Sequence, residues 1–192
     1  MKKFFMAVVA VIAFVFGTVA GSSAQNEFPV GMFGVNVGFG AGTMGHSGNH
    51  WNNVFIPTLN VAGDYSFLPN IINSNGSISG GGYFSIGKGS RTDNNVKCSD
   101  FCWRVGTRGV LHYTWVRYLD TYVGVAFGVK HDNYKEEWTA SGHTDIDDSN
   151  FEFDSYGLAG VRYKLNNNFA FYSEVASTHL AWFQIGVSIL FN

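Results

Sequence analysis

Charge is scarce in this sequence: Asp, Glu, Lys and Arg together make up 14% of 192 residues. A domain that keeps its surface in water carries about 25%, so this chain exposes little surface, or exposes it to something other than water. Cysteine is almost missing, with two residues. Beyond residue 25 there is no apolar run of about 18 residues, which excludes a transmembrane helix in the mature chain. A chain of this kind can meet lipid only as a closed barrel, because lipid satisfies no backbone hydrogen bond. Positive charge is also short. Removal of residues 1–24 takes away Lys2 and Lys3 and no acid, moving the formal charge from −2 to −4. That balance argues against a nucleic-acid partner.

What the chain has in plenty is glycine, 24 residues, and aromatics, 17%. It also has a targeting segment. Lys2 and Lys3 precede the apolar stretch Phe4 to Phe16, and Ser22-Ser23-Ala24 supplies small residues before Gln25. This is the layout of a cleavable secretory signal peptide, so residues 1–24 are expected to be removed and residues 25–192 to form one domain.

Strict period-two alternation runs through that domain. Phe33, Val35, Val37 and Phe39 alternate with Gly34, Asn36, Gly38 and Gly40. Val123, Val125, Phe127 and Val129 alternate with Tyr122, Gly124, Ala126 and Gly128. Phe183, Ile185, Val187, Ile189 and Phe191 alternate with Gln184, Gly186, Ser188 and Leu190. Such segments predict eight strands near 30–42, 53–67, 77–88, 102–116, 121–132, 151–165, 169–177 and 181–191. Residues 43–52, 89–101 and 133–150 read as long polar loops, and 117–120 and 166–168 as tight turns. Pro57 within the second strand fits poorly in a sheet without edges. Gly80-Gly81-Gly82 suggests a bulge or kink.

One face of these strands is bulky and apolar, with rings near strand ends: Tyr65, Phe67, Trp103, Tyr113, Trp115, Phe151, Phe153, Tyr163, Phe169 and Phe171. The other carries Gly, Ser, Asn and Tyr, with few charges. A soluble barrel would put Lys and Glu on its outer face. An inside-out pattern with aromatic rims is that of a membrane barrel. Phe33, Val35, Val37, Phe39, Val123, Val125, Phe127, Ile185, Val187 and Ile189 are then lipid-facing. Arg104, Arg108, Glu152, Asp154, Arg162 and Glu174 form a charge cluster in a lumen just wide enough to be filled by side chains. Charges there are costly unless paired. Glu174 is expected to meet Arg108 or Arg162, and Glu152 and Asp154 to meet Arg104 or Lys130.

The signal peptide, the eight alternating strands and the terminal Phe183-x-Ile185-x-Val187-x-Ile189-x-Phe191 resemble the small outer-membrane barrels of the OmpX/OmpA type. The resemblance covers nearly the whole mature chain and is one of architecture. It implies an all-β, eight-stranded, antiparallel up-and-down transmembrane barrel in the bacterial outer membrane, with long loops outside. It also implies that the last strand is read by the barrel-assembly machinery, with Phe191 as the signal, shifted by one residue because Asn192 follows. Outer-membrane lipid and lipopolysaccharide are the implied surroundings of a monomer.

Few constellations suggest chemistry. His46 and His50 flank a glycine-rich stretch, but without a helix their spacing is a weak metal signal. Some small barrels are lipid A deacylases or acyltransferases, and the deacylases pair His and Ser two residues apart on one strand face. His46-Ser47 are adjacent, and His179-Leu180 has no following Ser. Ser141, His143 and Asp145 have better spacing but lie in an acidic loop. Asp132, Glu136, Glu137, Asp145, Asp147, Asp148, Glu152 and Asp154 read as solvated acid rather than a cation site, lacking the distal Glu of a calcium loop. Cys98 and Cys102, placed in a loop outside the cytoplasm, are expected to form a disulfide staple. No catalytic, metal or cofactor residue is assigned. The expected function is non-enzymatic: surface and envelope interaction through outer loops. A lipid-A-modifying enzyme and a narrow channel are the alternatives.

Overall fold

The structure is a computed structural model that describes residues 26–44, 54–71, 74–93, 96–138, 146–178 and 180–192. The signal-peptide assignment and the readings of His46, Ser47, His50, Ser141, His143, Asp145 and His179 lie outside the described residues. Eight antiparallel strands close into one barrel, each paired with its neighbours in chain order. They are β1 (Phe33–Met44), β2 (Val54–Pro69), β3 (Gly76–Asp93), β4 (Val96–Val116), β5 (Leu119–Trp138), β6 (Ile146–Lys164), β7 (Phe169–Ala176) and β8 (Phe183–Phe191). The ring closes where β1 meets β8, from Phe33↔Phe191 to Ala41↔Phe183.

The alternation sets the two faces. Phe39 and Phe153 are each 73% exposed on the outside, and Val125 is 51% exposed. All ten residues expected to face lipid lie on this outer face, fully or partly exposed. Between them Asn36, Asp64, Arg108, Glu174 and Ser188 point inward and are buried.

The strands differ greatly in length. β7 and β8 have 8 and 9 residues, whereas β4 and β5 have 21 and 20. Spanning a bilayer takes about 9–11 residues, so β3 to β6 project well beyond one end of the barrel as a four-stranded sheet. This corrects two loop assignments. Residues 89–101 and 133–150 belong largely to strands, joined by Thr92↔Lys97, Val96↔Trp138 and Glu136↔Ile146. The β2–β3 ladder ends at Thr58↔Gly87 and the β6–β7 ladder at Leu158↔Ala176. Above those pairs no described strand pairs with the outer flank of β3 or β6.

Pro57 sits one residue past the last β2–β3 pair, beside Ala41 of β1, so the flank toward β3 has no ladder for its missing N–H to break. The irregularity in this region is a bulge at Phe67 of β2, between Ser66 and Leu68, and not within the glycine triplet. Gly81 has a different task. A Cβ there would stand 1.7 Å from the Gly63 carbonyl oxygen, so only glycine permits the approach of β2 and β3.

Candidate functional site

The lumen is a stack of side chains from one mouth to the other. Its middle layer is charged. Arg108 donates Nε to Asp64 Oδ1 at 2.7 Å and Nη2 to Asp64 Oδ2. Its third nitrogen, Nη1, lies 3.2 Å from Glu174 Oε2. Glu174 also accepts from Tyr122 Oη at 3.1 Å and from Gln184 Nε2. Arg162 donates to Asp120 Oδ2 at 3.0 Å, to Ser188 Oγ at 3.1 Å and to Asn36 Oδ1 at 3.2 Å. The five charged groups come from β2, β4, β5, β6 and β7, so the network ties most of the circumference together. A bidentate guanidinium–carboxylate pair is the geometry that best repays desolvation in a narrow lumen.

Above this layer, Arg104 lies 3.7 Å from Asp154, donates to Thr178 Oγ1 at 2.9 Å and stacks on Tyr156, 4.4 Å from the ring centre. At the rim, Lys130 Nζ reaches Asp132 at 2.7 Å and Glu152 at 3.4 Å. All six residues of the expected cluster are therefore on inward-facing positions, with Glu152 half exposed at the mouth. They form three levels rather than one. Large side chains are accommodated by glycines opposite them. A Cβ at Gly38 would fall 2.4 Å from Tyr172 Oη, and one at Gly106 would fall 2.8 Å from a Tyr83 ring carbon.

Each mouth has an apolar stopper. At the outer end Ile56, Leu180, Cys98 and Cys102 pack together. This corrects the disulfide expectation. The two cysteines lie four residues apart on continuous β4, opposite Arg91 and Gly87 of β3. Four extended residues span roughly 13 Å, whereas a bridge needs Cα atoms within about 7 Å. Both thiols are free and buried. Glu136, read as loop acid, is also buried, beside Tyr134 Oη at 3.5 Å.

At the inner end the stopper is Phe28, fully buried with Met32, Ala170 and Leu190. Its ring stacks on His112 with centroids 4.4 Å apart. His112 faces Asp120 through Nδ1 at 2.9 Å and Ser79 Oγ through Nε2 at 2.9 Å. That order of groups is the connectivity of a Ser–His–Asp triad. The surroundings oppose catalysis. Asp120 is also held by Arg162, Phe28 covers the imidazole, and all three residues are fully buried. Ser79, His112, Asp120 and Phe28 were missed in the sequence. The usable signal was parity: His112 and Asp120 share the inward register of Arg108 and Tyr122.

Outside, the apolar band is edged with rings. Trp103, His131 and Phe151 cluster toward the projecting sheet, with Trp103 and Phe151 centroids 5.9 Å apart. Tyr163, Phe169 and Phe171 are exposed toward the other end. An exterior of this kind has lipid as its solvent. Among the described residues no group of three metal-ligating side chains is found.

No family model and no curated protein matches the chain. Solved structures do. Ail, the attachment invasion locus protein of Yersinia pestis, matches at 15% identity over 84% of this chain and 95% of its own, with a TM-score of 0.51. The structure of Ail in complex with the heparin analogue sucrose octasulfate gives 15%, the same coverage and 0.52. The outer membrane protein OprG from Pseudomonas aeruginosa aligns over 88% of this chain and 100% of its own at 11% identity and a TM-score of 0.46. The chain thus has the fold of the small eight-stranded outer-membrane barrels, with Ail of Yersinia pestis as a structural likeness.

Proposed function

We propose that the protein is a non-enzymatic, monomeric barrel of the bacterial outer membrane that presents an interaction surface outside the cell. The observation that carries this reading is the contrast between the two parts of the molecule. The lumen is occupied by paired charges and stoppered at both ends. The β3–β6 sheet, by contrast, continues past the last β2–β3 and β6–β7 ladder pairs among the described residues. Extended chain that outruns its neighbouring strands offers a broad β-surface for recognition. Outward Lys97 and Lys135 on that sheet offer cations to anionic groups of lipopolysaccharide or surface polysaccharide, although each is paired here with an acid, Glu137 or Asp147. Ail was crystallised with a sulfated saccharide, which supports testing that ligand class. Phe191, half exposed at the end of β8, is the residue the barrel-assembly machinery would read.

Lipid A mass spectra from cells with and without the protein test the reading against a lipid-A-modifying enzyme. Identical spectra are expected, and a change in acyl chains that depends on the protein overturns the non-enzymatic role. Planar-bilayer recording tests the channel. Steady single-channel steps from the purified barrel would contradict a filled lumen.

A further inference from the structure

The segment that precedes β1 does not trail away from the barrel. Pro29 accepts a hydrogen bond from Met32 N at 3.2 Å, and Gly31 between them has φ +89°. Positive φ at the third residue of a four-residue turn is a type II geometry that glycine adopts without strain. The turn sends the preceding residues back under the barrel, where Glu27 and Phe28 meet several barrel groups, while Phe28 N is held by Asn26 Oδ1 at 2.9 Å. Glu27 N donates to Thr114 Oγ1 at 2.8 Å. The Glu27 carboxylate accepts from Tyr118 N at 2.9 Å and meets Lys164 Nζ at 3.2 Å. The Phe28 carbonyl accepts from Ser77 Oγ at 2.6 Å and, more weakly, from Ser66 Oγ at 3.4 Å. The Phe28 ring lies against His112 on one contact and 4.8 Å from the Arg162 guanidinium on another.

The inner mouth is thus filled by an extended acidic–aromatic pair, the chain's own Glu27-Phe28. The contacts run to four different strands, yet the segment itself adds no strand to the closed ring. Gly31 N donates to Ser66 O at 2.9 Å and Ser66 N to Met32 O at 3.0 Å, so the turn is pinned to β2 and only the residues before it are free of backbone pairing with a strand. The ladders of the barrel are complete without it, and the charged middle layer makes its hydrogen bonds independently of Glu27.

We propose that residues 26–30, hinged at the pinned turn, are a detachable plug that closes the inner mouth of the lumen, and that the mouth is a binding site for an extended peptide carrying an acidic residue followed by Phe. The site is separate from the projecting sheet, so the proposal stands whatever that sheet binds.

The test uses the full mature chain carrying Ala170→Cys, a buried position beside Phe28 that takes no part in the polar network. Maleimide modification is read at residue 170 by peptide mass mapping, which keeps Cys98 and Cys102 out of the signal. With Phe28 present, labelling is expected to be slow. In A170C with Phe28→Ala, it should rise by roughly ten- to a hundredfold, the factor that loss of one buried Phe ring confers, while the barrel keeps its unheated gel mobility. A synthetic peptide spanning 26–32 should slow labelling of the double variant, and the same peptide with Ala for Phe should not. Fast labelling with Phe28 in place overturns the plug. So does loss of the folded gel form on Phe28→Ala, which would make Phe28 part of the barrel's own core. Indifference to the peptide overturns the binding site. If A170C alone prevents folding, Leu190→Cys serves as the reporter in the same apolar cluster.

Discussion

Arg108 and Asp64 meet over Gly81 of the intervening β3 through two parallel N–H···O contacts, Nε to Oδ1 and Nη2 to Oδ2, with both side chains almost fully buried. Removal of either partner leaves a charge with no water to turn to. Asp64→Ala and Glu174→Ala are each expected to destabilise the folded barrel by about 3–5 kcal/mol, the usual cost of breaking one side of a buried pair. Glu137→Ala, which removes the exposed partner of Lys97, should stay within about 0.5 kcal/mol of the parent. Urea titrations in lipid vesicles give all three values, and equal small effects would show that the lumen pairs contribute nothing.

Val125 is half exposed within the part of β5 that belongs to the closed barrel, between the inner end at Leu119 and the projecting sheet. If lipid covers that face, Val125→Arg is expected to cost about 2–4 kcal/mol in vesicles, as a cation near the bilayer midplane does. A substitution without effect would return the face to water.

The cysteines predict a distinct chemical pattern. In folded protein, prepared without reductant, Cys98 and Cys102 should resist alkylation, because both are buried between Ile56 and Leu180. After denaturation without reductant, both should alkylate fully. A mass two units below the reduced value would restore the bridge that the strand spacing excludes.

On the projecting sheet, beyond the Trp103–Phe151 girdle, Lys135 Nζ lies 2.7 Å from Asp147 Oδ2. The hydrogen bond from Lys135 holds the Asp147 carboxyl below the usual carboxylate range, and the same bond raises Lys135. A lowered folded value means that the pair's contribution is present above the ordinary aspartate pKa, about 3.9. It fades as pH falls through the lowered value. Both groups are exposed, so the effect on stability is small. A carboxyl NMR titration should place Asp147 below the other exposed acids, and Lys135→Ala should bring it back among them.

Gly81→Ala should fail where Gly109→Ala succeeds. The first would push a methyl group into the Gly63 carbonyl, whereas nothing lies within 4 Å of the second. Unheated gel mobility after refolding separates them. Equal yields of folded barrel would mean that β2 and β3 can part at no cost.

The membrane-spanning part of this fold was legible because lipid on one side and a packed lumen on the other impose strict alternation. Phe33 to Phe39 and Phe183 to Phe191 show it residue by residue. The projecting sheet was not legible for the same reason. Around Ser99, Asp100, Lys135 and Glu137 the apolar face that marks a strand is missing, and a polar strand reads as a loop. The cysteine misreading followed from that one error. In the lumen, charge identity was visible but partners were not, since Asp64 and Arg108 are joined by the registers of two ladders that both pass through Gly81, and not by sequence spacing. Phe28 precedes the first alternating segment, which begins near residue 30, so no pattern marked its ring as inward-facing and buried.

The seam between Phe33 and Phe191 also orders events in time. Every other ladder joins strands that follow one another in the chain, so each can zip as soon as its second strand is available, with only a short loop to close. The β1–β8 ladder waits for the last strand of all. Until then β1 has one flank unpaired and its Phe and Val side chains uncovered, and strand edges left in this state invite aggregation. A nascent barrel of this design is therefore most vulnerable at its two ends at once, and the moment β8 docks is the moment both vulnerabilities disappear.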